Sequence, residues 1–503
     1  MSSSLARFAP ALFALTVLVS CAERPTEPAR RMAPQSARFD AIPVSPQYLV
    51  LSNGNGFSKS FATTVASLGG TVATLHHGAG FAVVSGLSAD AAARLASTSG
   101  VAEVQPDEIV TLAEPLAAAQ AEAPAIANPS ASSVMNPEAA LLFSWQWNMR
   151  AISAPAAWAA GALGDPGVTV AILDTGIDYD APDLIGLVDL SRSTSFSASD
   201  NQVRKTFFPT RNVISDFNGH GTNVATQVSS KAFAFAGVTS RTTLMGVKVL
   251  GQNGSGSFAD ILNGVLWAAD HGADVANMSL GGEFVKTGAG RLTSILNRVF
   301  NFAKKSGMLI VVAAGNDVAD LDHNGNTTNT FCDMVHVVCV SAMGPATATG
   351  PVDIPTYYTN FGRSAISVAA PGGNADAAND FAKSVWPWGA DIASWVWSFC
   401  SKTLIAGFTE MGTPILTTCV AGNRTTGFIG TSQASPHVAG LAALIVSQKG
   451  HGRPEQIKHI IERSADDLGQ PGTDPFFGRG RINVARALDF LGGGAVERWS
   501  VER

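Results

Sequence analysis

Three short islands in this chain carry side chains that together could do nucleophilic and acid–base chemistry. The first closes the apolar run Val168-Thr169-Val170-Ala171-Ile172-Leu173 and reads Asp174-Thr175-Gly176. A carboxylate at the C-terminal end of a buried parallel strand stands where open α/β sheets collect their sites, although an Asp before Gly also makes an ordinary turn. The second, Asn218-Gly219-His220-Gly221-Thr222, puts a histidine at the start of a predicted helix; His is the side chain suited to passing protons near neutral pH. The third runs Gly430-Thr431-Ser432-Gln433-Ala434-Ser435-Pro436-His437-Val438-Ala439-Gly440 into Leu441-Ala442-Ala443-Leu444-Ile445. Ser432 then opens a buried helix, where unpaired amides and the positive dipole end favour developing negative charge. Pro436 supports that placement, because proline is tolerated near a helix start and breaks a helix interior. A hydroxyl, an imidazole and a carboxylate are the parts of an activated nucleophile: Ser432 attacks a carbonyl, His220 moves its proton, and Asp174 orients the imidazole.

The elements that must position these groups follow from periodicity. Beyond residue 142 strands and helices alternate, which predicts an α/β fold with a doubly wound, mostly parallel sheet. Before it, residues 47–112 form a separate α+β unit. Tyr48-Leu49-Val50-Leu51 reads as a strand, and Phe57, Phe61, Val65 and Leu68 recur at helical spacing. Strands at 71–75 and 81–84, a helix capped by Ser88 and a strand at 101–110 complete a β-α-β-β-α-β order, the split βαβ plan. Residues 113–142, Ala- and Pro-rich, read as an exposed linker open to proteolytic nicking.

The order Asp174, His220, Ser432 is that of subtilisin and differs from the chymotrypsin and α/β-hydrolase orders. With Asp-Thr-Gly, His-Gly-Thr and Gly-Thr-Ser-x-Ala-Ser-Pro-His, the chain resembles the subtilisin-like serine proteases, the subtilases, from about Trp147 to Leu491. The resemblance implies a catalytic domain at 143–495 and an inhibitory, self-cleaved propeptide at 47–112. It implies that Asn316, ending Val311-Val312-Ala313-Ala314-Gly315-Asn316, completes an oxyanion hole with the Ser432 amide. It further implies that Gly254, Ser255 and Gly256 on one side, and Ser279, Leu280 and Gly281 on the other, flank an extended peptide. Gly315 joins that substrate-binding set, and Phe258 falls at a distal subsite. Asp183 matches a frequent calcium ligand of the family, but Ser230 to Thr239 looks short for the usual ligand loop; no cofactor is required for catalysis and structural calcium stays open. Asn223 and Thr226 depart from the His and Gly usual after the catalytic histidine, and Gln433 stands where many members carry an oxidisable Met. A 373–429 insertion carries Trp386, Trp388, Trp395 and Trp397, whose i, i+2 pairs share a strand face and suit core packing. His220 argues against a sedolisin-like acid protease, which has Glu there, and the intact triad against a catalytically dead peptide-binding lipoprotein.

Composition bounds the rest. The chain has 503 residues, 46% hydrophobic and 14% charged, with aperiodic glycine, which excludes a disordered chain, a coiled coil and a collagen-like repeat. Lys+Arg 33 against Asp+Glu 39 gives a net charge of -6, with no basic excess to bind nucleic acid. Residues 1–21 read as a signal peptide ending in the lipobox-like Leu18-Val19-Ser20-Cys21, so that the product is either a lipoprotein acylated at Cys21 or a secreted protein released by ordinary signal cleavage; 22–46 is a tether. The expected protein is an extracytoplasmic monomer that acts on protein or peptide substrates and meets the membrane only through that lipid. Cys400 and Cys419 flank a segment with Gly407, Gly412 and Pro414 that can turn back, so they are expected to pair. Such a bridge closes a loop of about 20 residues and contributes roughly 3 kcal/mol. Cys332 and Cys339 are not expected to pair, because an extended run into the strand at 335–340 separates them beyond the ~7 Å Cα limit.

Overall fold

A strand buried on both faces is nearly all apolar, and Thr169–Asp174 (β7), apolar from Val170 to Leu173, is buried at all six positions. The computed structural model describes residues 46–492 apart from 55, 113–120, 124–132, 282, 286–289, 324, 330, 346–349, 375–393, 410–411, 417–418 and 420–423. The signal, tether, Cys21, Trp386 and Trp388 lie outside the described residues. All described residues belong to one compact unit. Around β7 stand Thr194–Ser195 (β8), Thr243–Lys248 (β9), Val275–Met278 (β11), Leu309–Ala313 (β12), Val337–Met343 (β13) and Val368–Pro371 (β14). Their order is β14-β13-β12-β11-β7-β9-β8, seven strands with every pairing parallel. Alternation along β7 sends Val170 and Ile172 into one apolar cluster, and Ala171 and Leu173 into another on the opposite face. Helices His220–Val228 (α3) and Thr431–Lys449 (α6) cover the first face; Phe258–Asp270 (α4) and Gly290–Lys305 (α5) cover the second.

Residues 47–106 take the expected order: Gln47–Ser52 (β1), Phe61–Ser67 (α1), Thr71–His76 (β2), Phe81–Ser85 (β3), Ala89–Ala96 (α2) and Val101–Pro106 (β4). The sheet order is β2-β3-β1-β4, all antiparallel, and the Ser88 side chain caps α2 by accepting from Ala91 N at 3.2 Å. One sheet face, with Tyr48, Val50, Ala82 and Val84, packs on this unit's own helices. The other, with Leu49, Leu51, Phe81 and Val83, joins the core of α4 and α5. Thr74 Oγ1 to Asn263 Oδ1, 3.1 Å, and His76 Nε2 to Asp270 Oδ2, 2.9 Å, tie β2 to α4.

Two expectations are corrected. The stretch before residue 143 is not all exposed linker: Ala121–Ala123 (β6) is a strand, Ser133 N donates to Lys231 O, and Leu141 N and Leu142 N donate to Phe233 O and Ala234 O. The bare Ala and Pro composition hid this, because backbone donors carry the docking. Cys332 and Cys339 do pair, with Cα atoms 5.1 Å apart. Cys332 sits in the 3₁₀ turn Phe331–Asp333, His336 at φ 64° redirects the chain, and the strand begins only at Val337, so the assumed extended path does not exist. Cys400 and Cys419 pair as expected, Cα atoms 5.6 Å apart. Trp395 and Trp397 are buried core residues. Since loop-closure entropy grows with the loop, and the separations are 7 and 19 residues, replacing both cysteines of each pair by serine costs about 2 kcal/mol for 332/339 and about 3 kcal/mol for 400/419. Denaturant titration of both double variants reads this; equal midpoints would refute the ranking.

Candidate active site

Each reacting group stands at the end of an element of the parallel sheet's C-terminal edge. Asp174 ends β7 and is fully buried; its Oδ1 accepts from Thr175 N at 2.7 Å and pairs with His220 Nδ1 at 2.8 Å. His220 opens α3 and is 4% exposed, Ser432 near the start of α6 8%. The carboxylate on Nδ1 fixes the ring and leaves Nε2 for proton transfer. Gly221 is required where the two loops meet: a Cβ there would lie 2.1 Å from Gly176 O.

A residue absent from the sequence reading holds the histidine loop. Buried Asp216 accepts from Thr175 Oγ1, Asn218 N and Gly219 N through Oδ1, and from Thr222 N and Oγ1 through Oδ2, all within 3.0 Å. Its only signal was its place two residues before the Asn-Gly-His island, which any turn-forming Asp could occupy.

The nucleophile's surroundings are equally specific. Asn316 Oδ1 accepts from Thr431 N at 2.9 Å and Thr431 Oγ1 at 2.8 Å. With that oxygen fixed, the Nδ2 end turns toward the Gly430–Ser432 turn: a Cβ on Gly430 would lie 3.6 Å from both Asn316 Nδ2 and Ser432 N. The two donors expected to serve an oxyanion therefore lie beside the same turn, with Gln433 Oε1 closer still, 2.9 Å from that Cβ position. Pro436 has no N–H to give the carbonyl four residues back, and that carbonyl, of Ser432, takes a 2.7 Å hydrogen bond from Ser279 Oγ instead. Ser432 Oγ donates to Ser279 O at 3.1 Å. His437 is no second base: burial pushes it down to about 4, and its Nδ1 bonds Gln433 O while Nε2 meets Asn148. Asn223 bonds Val396 O and Ser398 Oγ, and Thr226 Oγ1 bonds Thr222 O, so both departures serve packing of α3. Gln433 is fully buried beside the nucleophile.

The predicted substrate residues divide. Ser255–Ser257 (β10) pairs antiparallel with Ile109–Thr111 (β5), in register Ser255 with Thr111 and Gly256 with Val110. Leu112 N donates to Gly254 O at 2.9 Å, and a Cβ on Gly254, at φ 73°, would meet Leu112 Cδ1 at 3.3 Å. A Cβ on Gly256 would sit 2.2 Å from Val249 O. Leu280 is buried and Gly281 half-buried. Three members of the set make contacts within the protein. The Ser279 hydroxyl faces the nucleophile's backbone and Ser435 rather than a peptide. Gly315 N–H donates to Thr431 Oγ1 and its carbonyl accepts from Asn360 N. Phe258 starts α4 with its ring buried against Phe331, 6.0 Å between centroids, because helix formation from that position turns it into the core.

Asp183 does not fit a calcium ligand. Its oxygens accept from Phe233 N, Ala234 N and Phe235 N at 2.8, 3.0 and 3.2 Å, so amide donors point where a cation would need to approach. Burial pushes this carboxyl up to about 7. No cluster of three acidic, His or Cys residues that could hold a metal occurs among the described residues.

A carboxylate–imidazole pair at the C-terminal end of a parallel strand and a serine near the start of a buried helix are the parts of a triad-type serine hydrolase. The Subtilase family model matches residues 165–480, and the chain belongs to that family. It is 30% identical over 356 residues to thermitase from Thermoactinomyces vulgaris, covering 69% of this chain and 97% of that protein. It is 32% identical over 333 residues to the thermophilic serine proteinase of Bacillus sp. (strain AK1), covering 65% of this chain and only 63% of that relative's length. The fold is similar to an epidermin leader peptide processing serine protease from Staphylococcus aureus, with TM-score 0.67 and 20% identity over 90% of this chain and 100% of that one.

Asn316→Ala is expected to lower kcat by roughly 10²–10³, about 2.7–4 kcal/mol, with little change in KM, because its amide meets charge only in the tetrahedral state. Steady-state kinetics showing wild-type kcat would move the donor elsewhere. Excess EDTA is expected to leave the thermal midpoint unchanged in a calorimetric scan; a drop restored by calcium would show a metal that the Asp183 geometry argues against.

Proposed function

We propose that this protein is an exported serine endopeptidase, made as a zymogen that cleaves itself, and that it hydrolyses peptide bonds in proteins. The observation that carries the reading is that its own chain lies in the peptide-binding strand: β5 and Leu112 run along Gly254–Ser257 as an extended substrate does. Ser432 Oγ attacks the carbonyl that follows, His220 takes its proton and returns it to the leaving amine, and Asp174 stabilises the imidazolium. The Ser432 and Asn316 amides hold the oxyanion. Water then releases the acyl group by the same path. Residues 47–112 act afterwards as an inhibitor held across β10, α4 and α5. Export, attachment through Cys21 and action as a monomer complete the proposal on the sequence features alone.

Cleavage is expected between Leu112 and Ala121, the two ends anchored by strand pairing. Purified Ser432→Ala should stay full length while wild type yields a new N-terminus in that interval. Normal processing of the variant in a protease-deficient host would rule out self-cleavage.

The inhibitor contact is proton-linked. Asp260, in the first turn of α4, is pushed up to about 7 by burial and then by the Asp107 charge from the docked segment. Asp107, which caps Ala259 N at 3.0 Å, is itself raised by burial. A carboxyl whose pKa is higher in the complex takes up a proton on binding, so the complex is favoured at acid pH. Affinity then falls as pH rises from about 4, the ordinary carboxylate range, to about 7, and levels off above. Titration of the free 47–112 fragment into the Ser432→Ala mature domain should show this slope, and Asp260→Asn should flatten it; a slope of the opposite sign would contradict the linkage.

A further inference from the structure

The chain's own linker uses a second strand edge, downstream of the first. Val396–Phe399 (β15) and Thr425–Phe428 (β16) pair antiparallel, and β6 adds to the other side of β16 in register Ala121 with Gly427, Glu122 with Thr426 and Ala123 with Thr425. Cys400 N donates to Arg424 O at 2.8 Å, so Arg424 turns its backbone groups toward β15. Alternation in an antiparallel ladder then turns Thr426 and Phe428 the same way, and leaves the N–H and C=O of Thr425 and Gly427 facing β6. Without β6, β16 is an edge strand presenting two donor–acceptor pairs, and such an edge is a template for another chain. It is also the strand that leads through Ile429 and Gly430 into Ser432.

The direction of the chain assigns the edge to one half of a substrate. The segment runs from β5, paired with β10, to β6, paired with β16, so β10 holds residues before the scissile bond and β16 residues after it. We propose that this edge of β16 is a docking strand for the leaving half of long polypeptide substrates, which add to it by the antiparallel pairing that β6 uses. The inference rests on the endopeptidase reading above. Recognition is by main chain, so it tolerates many sequences and rejects proline where a donor must face Thr425 or Gly427. Ala121 lies nine residues beyond Leu112, so with the scissile bond at or just after Leu112, where β10 releases the segment, only substrates that continue about that far reach the edge. After cleavage before Ala121, β6 stays attached to the mature enzyme and competes for the same edge.

The test uses internally quenched peptides with one common acyl half and leaving halves of three or about twelve residues. The enzymes are the mature wild type and the Ala121→Pro, Ala123→Pro double variant, which removes both facing donors from β6. The long peptide should have a higher kcat/KM, by about tenfold in the double variant and less in wild type, and alternate prolines in its distal part should abolish the gain through KM. Equal kcat/KM for both lengths in both enzymes, with the short peptide turned over normally, overturns the docking strand and leaves the endopeptidase reading intact. No cleavage of either peptide overturns both.

Discussion

The helix that begins at the nucleophile starts inside the protein, where water cannot satisfy its first backbone groups, and the site is built from the partners those groups require. Thr431 N finds Asn316 Oδ1, Gly315 N finds Thr431 Oγ1, and the Ser432 carbonyl that Pro436 leaves unbonded finds Ser279 Oγ. These three bonds tie α6 to the ends of β12 and β11. They set where the hydroxyl stands and which end of the Asn316 amide faces the Gly430–Ser432 turn. A burial requirement of the fold thus becomes the preorganisation of the chemistry, since dipoles fixed in advance need no reorganisation during reaction.

The same economy governs the histidine. Its loop carries several N–H groups in a dry region, and Asp216 gathers five donors around one carboxylate. That leaves Asp174 to serve His220 and Thr175 N. Asp183 does for the loop at 233–235 what Asp216 does for the loop at 218–222, accepting from three successive backbone amides.

Edge strands explain the N-terminal unit. On the proposed function β10 offers unpaired backbone to peptides, and an unpaired edge is a hazard until something covers it. Here the chain covers it with β5, while the 47–106 sheet shares its second apolar face with α4 and α5. Strand pairing alone is weak and sequence-tolerant; the shared apolar face and the Asp107 cap add the area and direction that hold the segment in place.

The alternating sheet and the β-α-β-β-α-β unit were legible from the hydrophobic period alone; the candidate triad rested on a strand-end carboxylate, a helix-start histidine and a helix-start serine taken together with the family resemblance, which also supplied Asn316. Position along the chain could not show that the Ser279 hydroxyl bonds the Ser432 carbonyl, that Phe258 turns inward, that Gly315 N–H donates to Thr431, or that Cys332 meets Cys339. Each of those depends on which residues far apart in sequence become neighbours. Pro436 is the clearest case. Its missing donor is a property of the sequence, but which hydroxyl would answer the freed carbonyl was decided only when β11 came to lie beside α6. The sequence by itself determined which groups could react; packing decided which polar group satisfies which, because a buried donor or acceptor must be paired by whatever the fold brings within 3 Å or so.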